Sequence, residues 1–278
     1  MAISMADVKA LNESTGAGLL ACKNALAEAN GDTKEAAKIL KEKGLAAVAK
    51  RSERATSEGR IFVRKLEDKI VLIEVTCETD FVAKNADFIA TGEKLLDVTL
   101  EKGYTKVEQE HKDILMELAT KIRENMTVAK VSVVAIPQGA VAASYVHSDF
   151  KTASAVVIKG STDEAVKTFA YDCCMHLAAF TPAYLKASDV PQSYIDEQTE
   201  IFKAQMDQDE KMASKPENVK AGILQGKDKK HLSEICFVDQ MFVKDYKVTV
   251  AKKIEEVGKS VGANLEFGEI VLDVLGKE

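Results

Sequence analysis

The titratable side chains that could carry out chemistry are thinly spread along this sequence. His147 could act as a general base, but a lone histidine at a strand end is more often a surface hydrogen-bonding group. Asp172 and His176 have i, i+4 spacing, which favours a pair on one helix over a catalytic dyad because no nucleophile accompanies them. The four histidines have no metal-ligand spacing. We therefore predict no catalytic residue and no metal site.

Motifs for binding phosphate or a cofactor are also missing. The sequence contains no GxxxxGK[ST], GxGxxG, HExxH or GxSxG pattern. Residues 15–18 are glycine-bearing, but they follow a predicted helix instead of a strand, so we interpret them as a turn. The five cysteines are odd in number and form no CxxC pair, which argues against a disulfide framework or a zinc site. We predict that the chain uses no cofactor.

The strongest local signal is the stretch of residues 78–85. It follows the apolar run 70–77, which predicts a buried strand, and it precedes a helical pattern from Phe81 toward Leu100. Asp80 at this corner has the chemistry of a helix N-cap. Phe81 either packs under the helix as core or projects from a rigid base as an apolar wedge. Spacing alone favours the core position.

The remaining elements predict an α+β fold in three segments. Residues 1–54 form three short helices that resemble a ubiquitin-associated domain, with a Ser4–Asp7 capping box and a helix stop at Gly44. A charged linker follows. Residues 55–140 and 141–278 are two related α+β core subdomains with antiparallel sheets. The sparse apolar pattern at about 187–230 predicts a protruding helical hairpin, with a disordered insertion as the alternative.

Composition narrows the classes of function. Hydrophobic residues make up 46% and charged residues 29% of the chain, which is typical of a globular protein with proper cores. The net charge of −6 argues against broad nucleic-acid binding, which needs a basic face. We find neither a run of membrane-spanning length nor a secretory signal. We therefore expect a cytoplasmic protein with no nucleic-acid or membrane partner.

Four stretches resemble bacterial elongation factor Ts, in the family's order and spacing. Residues 8–26 and 29–32 match its N-terminal helices, and residues 144–147 resemble the start of its second core half. The most specific match is residues 79–85, Thr-Asp-Phe-Val-Ala-Lys-Asn. Together these matches extend over nearly the whole chain.

The resemblance implies a function and its residues. It implies guanine-nucleotide exchange on elongation factor Tu, in its GDP-bound and nucleotide-free forms, and not catalysis of a reaction. Four residues would form the element that dislodges Mg²⁺ from the partner, namely Thr79, Asp80, Phe81 and Val82, with Phe81 as the wedge. Lys23 and His147 would dock on the partner.

Two departures and one alternative accompany this interpretation. Ala21 stands where the family often has aspartate, and the sequence ends soon after Gly268, where longer members carry a further helix. The alternative function is that of an enzyme whose site is assembled only in space. An assay for intrinsic nucleotide binding and hydrolysis separates the two.

Overall fold

The computed structural model describes residues 3–213 and 215–277 of the chain. Within these, the chain divides into two compact units. One contains residues 3–133, 146–152 and 273–277, and the other contains residues 134–145 and 153–272. Both combine helices with a sheet, so the predicted α+β class is confirmed. The predicted boundaries after residues 54 and 140 stay predictions.

The chain begins with three helices: α1 (Met5–Thr15), α2 (Leu19–Glu28) and α3 (Thr33–Ala49). The capping box predicted at Ser4 and Asp7 is present, and α1 ends because Gly16 takes the left-handed conformation at φ 68°. The side chain of Asp32 caps α3 by accepting from the amides of residues 34 and 35. Inward-facing apolar residues close a small core, namely Val8, Leu11, Cys22, Leu26 and Ala36. The likeness to a ubiquitin-associated domain stays a prediction.

Gly44 does not end the third helix, contrary to the prediction. Helix α3 continues through it to Ala49. A Cβ at Gly44 would lie 3.2 Å from the side chain of Thr120, so the missing side chain allows two helices to pack closely. The segment predicted as a linker is attached to a later helix, because a guanidinium nitrogen of Arg51 donates a hydrogen bond to the carbonyl of Ala119 at 3.2 Å.

The first sheet contains β1 (Glu58–Lys65), β2 (Lys69–Cys77) and β3 (Met126–Ala135), with β2 in the middle. The predicted hairpin is confirmed, because β1 and β2 pair antiparallel and the amide of Leu66 donates to the carbonyl of Lys69 across the turn. Between β2 and β3 lie α4 (Asp80–Ala83), α5 (Ala86–Lys102) and α6 (Gln109–Ile122). The core between this sheet and its helices includes Phe62, Ile73, Phe88, Leu95 and Leu118.

The second sheet begins with β4 (Val141–Val146) and β5 (Thr152–Lys159), followed by α7 (Glu164–Phe180). Next come α8 (Gln192–Gln208), α9 (Glu210–Ala213) and α10 (Glu217–Ile235). The tyrosine hydroxyl of Tyr194 lies 3.0 Å from Nε2 of His231, which joins α8 to α10. Met206 is the one buried residue among the described residues of these two helices. The two predicted helices are present and in contact, so the alternative of a disordered insertion is wrong for α8 and α10. That the hairpin protrudes stays a prediction.

The chain ends with a two-stranded sheet of β6 (Met241–Phe242) and β7 (Asp245–Thr249), then α11 (Val250–Val261) and β8 (Glu266–Val274). Strand β8 pairs with β5, so the second sheet has the order β4-β5-β8. Its core includes Val156, Ile158, Phe169, Cys173 and Phe242. The small β6–β7 sheet was not predicted from the sequence.

Candidate functional site

The corner after β2 contains a helix of only one turn. Helix α4 spans Asp80–Ala83, and Asn85 caps a separate helix α5 by accepting from the amide of Asp87 at 2.8 Å. The predicted continuous helix from Phe81 toward Leu100 is therefore wrong. Asn85 breaks it because its side chain takes the amide that a continuous helix would use.

The N-cap of this short helix is Thr79, not Asp80 as predicted. The Thr79 hydroxyl accepts from the amide of Val82 at 3.4 Å. The carboxylate of Asp80 instead accepts from Nζ of Lys84 at 2.6 Å. That hydrogen bond is the main reason why the pKa of Asp80 is lowered. Asp80 therefore carries a negative charge at the surface, close to the residue that follows it.

Phe81 is the most informative side chain of the corner, because 80% of it is exposed. The next two residues occupy the core instead, with Val82 at 8% and Ala83 at 5% exposure. Both belong to the core of the first sheet. The core position that spacing favours for Phe81 is therefore wrong. A one-turn helix anchored by its last two residues presents an aromatic ring to solvent.

A surface cavity of about 390 Å³ lies beside α4. Its lining includes Asp80, Lys84, residues 58–60 and residues 148–151. The guanidinium of Arg60 lies 3.5 Å from the centre of the Phe150 ring, and burial lowers the pKa of Arg60. The cavity is therefore bordered by charged side chains, and one of them, the guanidinium of Arg60, stacks on the ring of Phe150.

His147 begins the turn that forms one side of this cavity. Its Nδ1 lies 3.0 Å from the carboxylate of Asp149, and both side chains are about half exposed. The amide of Phe150 donates to the carbonyl of His147, and the amide of Ile61 donates to the carbonyl of Phe150, each at 2.8 Å. The turn is thereby joined to β1. The structure thus brings the His147 turn and Asp80, predicted as separate contacts, to one cavity.

Lys23 lies elsewhere, on the exposed face of α2. The turn before this helix lies against the end of α6, since a Cβ at Gly16 would be 3.4 Å from Lys121 and one at Gly18 would be 3.6 Å from Arg123. Leu20 is 72% exposed on the same helix. Helix α2 therefore offers a cation and an apolar side chain together.

Sequence reasoning missed Glu124. Its carboxylate accepts from the amides of Glu78 and Thr79 and from the Thr79 hydroxyl. The contact joins residues 46 positions apart, so no local spacing reveals it. The only signal in the sequence is a polar residue between a helical stripe and a strand.

The remaining candidates for chemistry have structural partners. Asp172 pairs with Nζ of Lys244 at 2.7 Å, and His176 is buried with Nε2 2.8 Å from the amide oxygen of Gln240. The predicted Asp172–His176 helix pair is therefore wrong, because each of the two side chains is bonded to a residue outside the helix. All five cysteines are buried free thiols. Among the described residues, no cluster of three His, Cys, Asp or Glu side chains could hold a metal ion.

Within residues 3–213 and 215–277, no helix is both long enough and apolar enough to cross a bilayer.

Comparisons with known proteins all relate this chain to one family. The family model described as "Elongation factor TS" matches residues 78–269, which is more than half of the chain. A protein named elongation factor Ts from Treponema denticola is 50% identical, with 99% of each chain covered. Namesakes from Treponema pallidum and Borrelia recurrentis are 44% and 42% identical, with at least 97% of each chain covered. The similarity extends through the corner that carries Phe81.

Proposed function

We propose, from the premise that this chain belongs to the elongation factor Ts family, that it is a guanine-nucleotide exchange factor for elongation factor Tu. It binds the GDP-bound partner, promotes release of GDP and leaves a nucleotide-free complex that GTP can enter. The chain itself catalyses no chemical reaction and needs no cofactor. Its place is the cytoplasm, and neither nucleic acid nor membrane is a direct partner.

The observation that carries this proposal is the 80% exposure of Phe81 on α4. An exposed aromatic ring on a rigid mount gains free energy when a partner buries it, and aromatic residues dominate the energetics of protein interfaces. Val82 and Ala83 fill the core beneath, so the ring is presented without loosening the fold. An enzyme with a spatially assembled site would need converging titratable groups, whereas His176 and Asp172 are engaged in structural contacts.

The mechanism follows from how a G protein holds GDP. Backbone amides of the phosphate-binding loop and a Mg²⁺ ion neutralise the phosphate charge. A wedge that enters near the metal displaces both, so the affinity for GDP falls. Coupling between the two ligands is reciprocal, so GDP must weaken the binding of the factor by the same ratio.

Each residue of the corner has a distinct part in this proposal. Phe81 is the wedge, and Asp80 adds a negative charge beside it. Thr79 caps α4 and Val82 anchors it, so these two act by holding Phe81 in place. The four residues together form the element that dislodges Mg²⁺ from elongation factor Tu.

Two further surfaces dock the partner. The first is α2 within segment 1–54, where Lys23 and Leu20 are exposed. Ala21 supplies no charge there, so Lys23 provides the electrostatic part of this contact. The second is the His147 turn, which borders the same cavity as Asp80. The hairpin of α8 and α10 makes at most a secondary contact.

The test is a GDP-release measurement. Elongation factor Tu is loaded with a fluorescent GDP analogue and mixed with excess unlabelled GDP, with and without this chain. Acceleration of release by catalytic amounts of the chain is expected. Unchanged release, or micromolar binding of the GDP analogue to this chain alone, would contradict the proposal and favour the enzyme alternative.

A further inference from the structure

We infer that Glu124 is a positioning residue for nucleotide exchange, which holds the backbone before α4 so that Phe81 is presented in one orientation. This inference rests on the proposed function of Phe81. Glu124 lies just after α6, in the corner that leads to β3. It acts through the backbone of residues 78 and 79 and not on the partner itself.

The contacts of Glu124 are all directed to one point of the chain. Its Oε2 accepts from the amide of Glu78 at 3.1 Å and from the amide of Thr79 at 3.0 Å. Its Oε1 accepts from the hydroxyl of Thr79 at 2.7 Å. Hydrogen bonds to an ionised carboxylate are stronger than neutral ones. These three donors engage both oxygens of the carboxylate.

A second carboxylate holds the same corner from the opposite direction. Oε1 of Glu78 accepts from the amide of Asn125 at 2.6 Å. The side-chain amide of Asn125 donates in turn to the carbonyls of Ser52 and Arg54, at 3.2 and 2.7 Å. Asn125 is buried. The corner before α4 and the corner before β3 are therefore joined in both directions, since backbone amides of each donate to a carboxylate of the other. Through Asn125, both are attached to the segment that follows the N-terminal helices.

The need for such a clamp follows from the length of α4. A single turn fixes several dihedral angles for very few hydrogen bonds, so it does not hold its own geometry in water. Val82 and Ala83 anchor its end, but the exposed ring of Phe81 makes no comparable core contact. The direction of that ring therefore depends on the backbone on both sides of it, and residues 78–80 on the N-terminal side have no core anchor of their own. Glu124 fixes the backbone at residues 78 and 79.

The first experiment measures exchange with Glu124→Ala and Glu124→Gln. Glu124→Ala should lower the maximal rate of GDP release from the saturated complex about tenfold, since displacing a positioned group by an ångström costs up to about 10²-fold. Its affinity for elongation factor Tu should change much less. Glu124→Gln should stay within about twofold of the original chain, because the amide oxygen still accepts from both backbone amides and its NH₂ can donate to Thr79. Glu117→Ala on α6, an exposed glutamate with a 4.0 Å contact to Lys94, is the matched control.

A double-mutant cycle tests whether Glu124 acts through Phe81. In a Phe81→Ala background, Glu124→Ala should slow GDP release no further, since coupled residues are not additive. An equal fold-loss in both backgrounds would overturn the inference, because Glu124 would then act independently of the wedge. A fall in affinity with an unchanged maximal rate would overturn it as well.

Hydrogen exchange on the free chain provides a readout without the partner. Glu124→Ala should accelerate exchange at the amides of Glu78 and Thr79 while the amides of α6 stay protected, and Glu117→Ala should change neither. Unchanged protection at residues 78 and 79 would overturn the clamp. If the original chain fails to accelerate GDP release, the proposed function fails and the inference with it, whereas normal release by Glu124→Ala removes the inference alone.

Discussion

The carboxylate of Asp80 accepts a hydrogen bond from Nζ of Lys84 at 2.6 Å. The charge of Asp80 is therefore paired with a lysine one helical turn further along the chain, and Thr79 caps α4 instead. This division separates the charge beside Phe81 from the group that stabilises the helix. Substitutions at the two positions should have different effects.

Thr79→Ala should lower the free energy of unfolding by about 1–2 kcal/mol, because it removes both the cap of α4 and the hydroxyl that donates to Glu124. Thr79→Ser keeps the hydroxyl and should be close to neutral. Asp80→Asn should change the free energy of unfolding much less than Thr79→Ala does, because its carboxylate caps nothing and an exposed i, i+4 ion pair with Lys84 contributes little. Equilibrium unfolding of the three variants checks this. A loss of stability in Asp80→Asn as large as that in Thr79→Ala would return the cap to Asp80.

Gly92 on α5 lies against the ring of Phe62, and a Cβ there would be 2.1 Å from Cζ of the ring. Gly92→Ala should therefore destabilise the fold by about 1–3 kcal/mol, as overpacking does. Gly226 on α10 is a matched control, since nothing lies within 4 Å of its added Cβ. Gly226→Ala should stabilise by up to about 1 kcal/mol through helix propensity. Two shifts of the same sign in urea unfolding would contradict this packing.

Two buried histidines should make stability depend on pH. Nδ1 of His176 accepts from the amide of Val243 at 3.1 Å, and Nδ1 of His111 accepts from the amide of Glu108 at 2.9 Å. A proton on either Nδ1 would oppose that amide. Burial is the main cause that lowers the pKa of each ring below its ordinary value of 6.5.

The sign follows from linkage. The unfolded chain takes up protons first, so the stability from neutral histidines is complete above pH 6.5 and is lost as the pH falls below it, by up to about 1.4 kcal/mol per pH unit for each ring. Burial raises the pKa of Glu74, which has the opposite effect at lower pH. Unfolding of His111→Gln/His176→Gln should show a flatter pH profile between about pH 7 and 5.5. An unchanged slope would mean that neither histidine is responsible.

The sequence correctly predicted features whose residues lie close together along the chain. It failed for features that depend on a contact with a residue far away in the sequence. Ser4 and Asp7 lie within one helical turn, so their capping box is visible in the spacing. Gly44 resembles a helix stop because nothing nearby in sequence reveals Thr120 against it. The spacing of Phe81 fits an apolar core pattern, and only the family resemblance indicated a wedge. The fold shows that Val82 and Ala83 take the core positions. Glu124 is invisible for the same reason, since its partners lie 45 and 46 residues away.

Lys23 should contribute to docking and not to stability, since it is exposed on α2. Lys23→Glu should weaken binding to elongation factor Tu·GDP, more at low salt than at high salt, because an exposed charge is screened. Lys41→Glu on α3, also exposed, is the control with the same change of charge. Titration calorimetry at two salt concentrations checks this. Equal losses for the two variants would indicate a general effect of net charge.

Phe81→Ala gives the sharpest test of the site. A core phenylalanine costs about 3–5 kcal/mol of stability on truncation to alanine, whereas a surface substitution usually changes it by less than about 0.5 kcal/mol. With 80% of the side chain exposed, we expect the second outcome together with much slower GDP release from elongation factor Tu. Affinity should fall less than the rate, because α2 and the His147 turn still dock.

Tyr246→Ala is the matched control for Phe81→Ala, since Tyr246 on β7 is an aromatic residue with 67% exposure. It should leave both stability and GDP release close to those of the original chain. Urea unfolding and fluorescent GDP release on the same preparations separate the two effects. If Phe81→Ala unfolds at much lower urea yet releases GDP normally when folded, the ring stabilises the fold and is not the wedge.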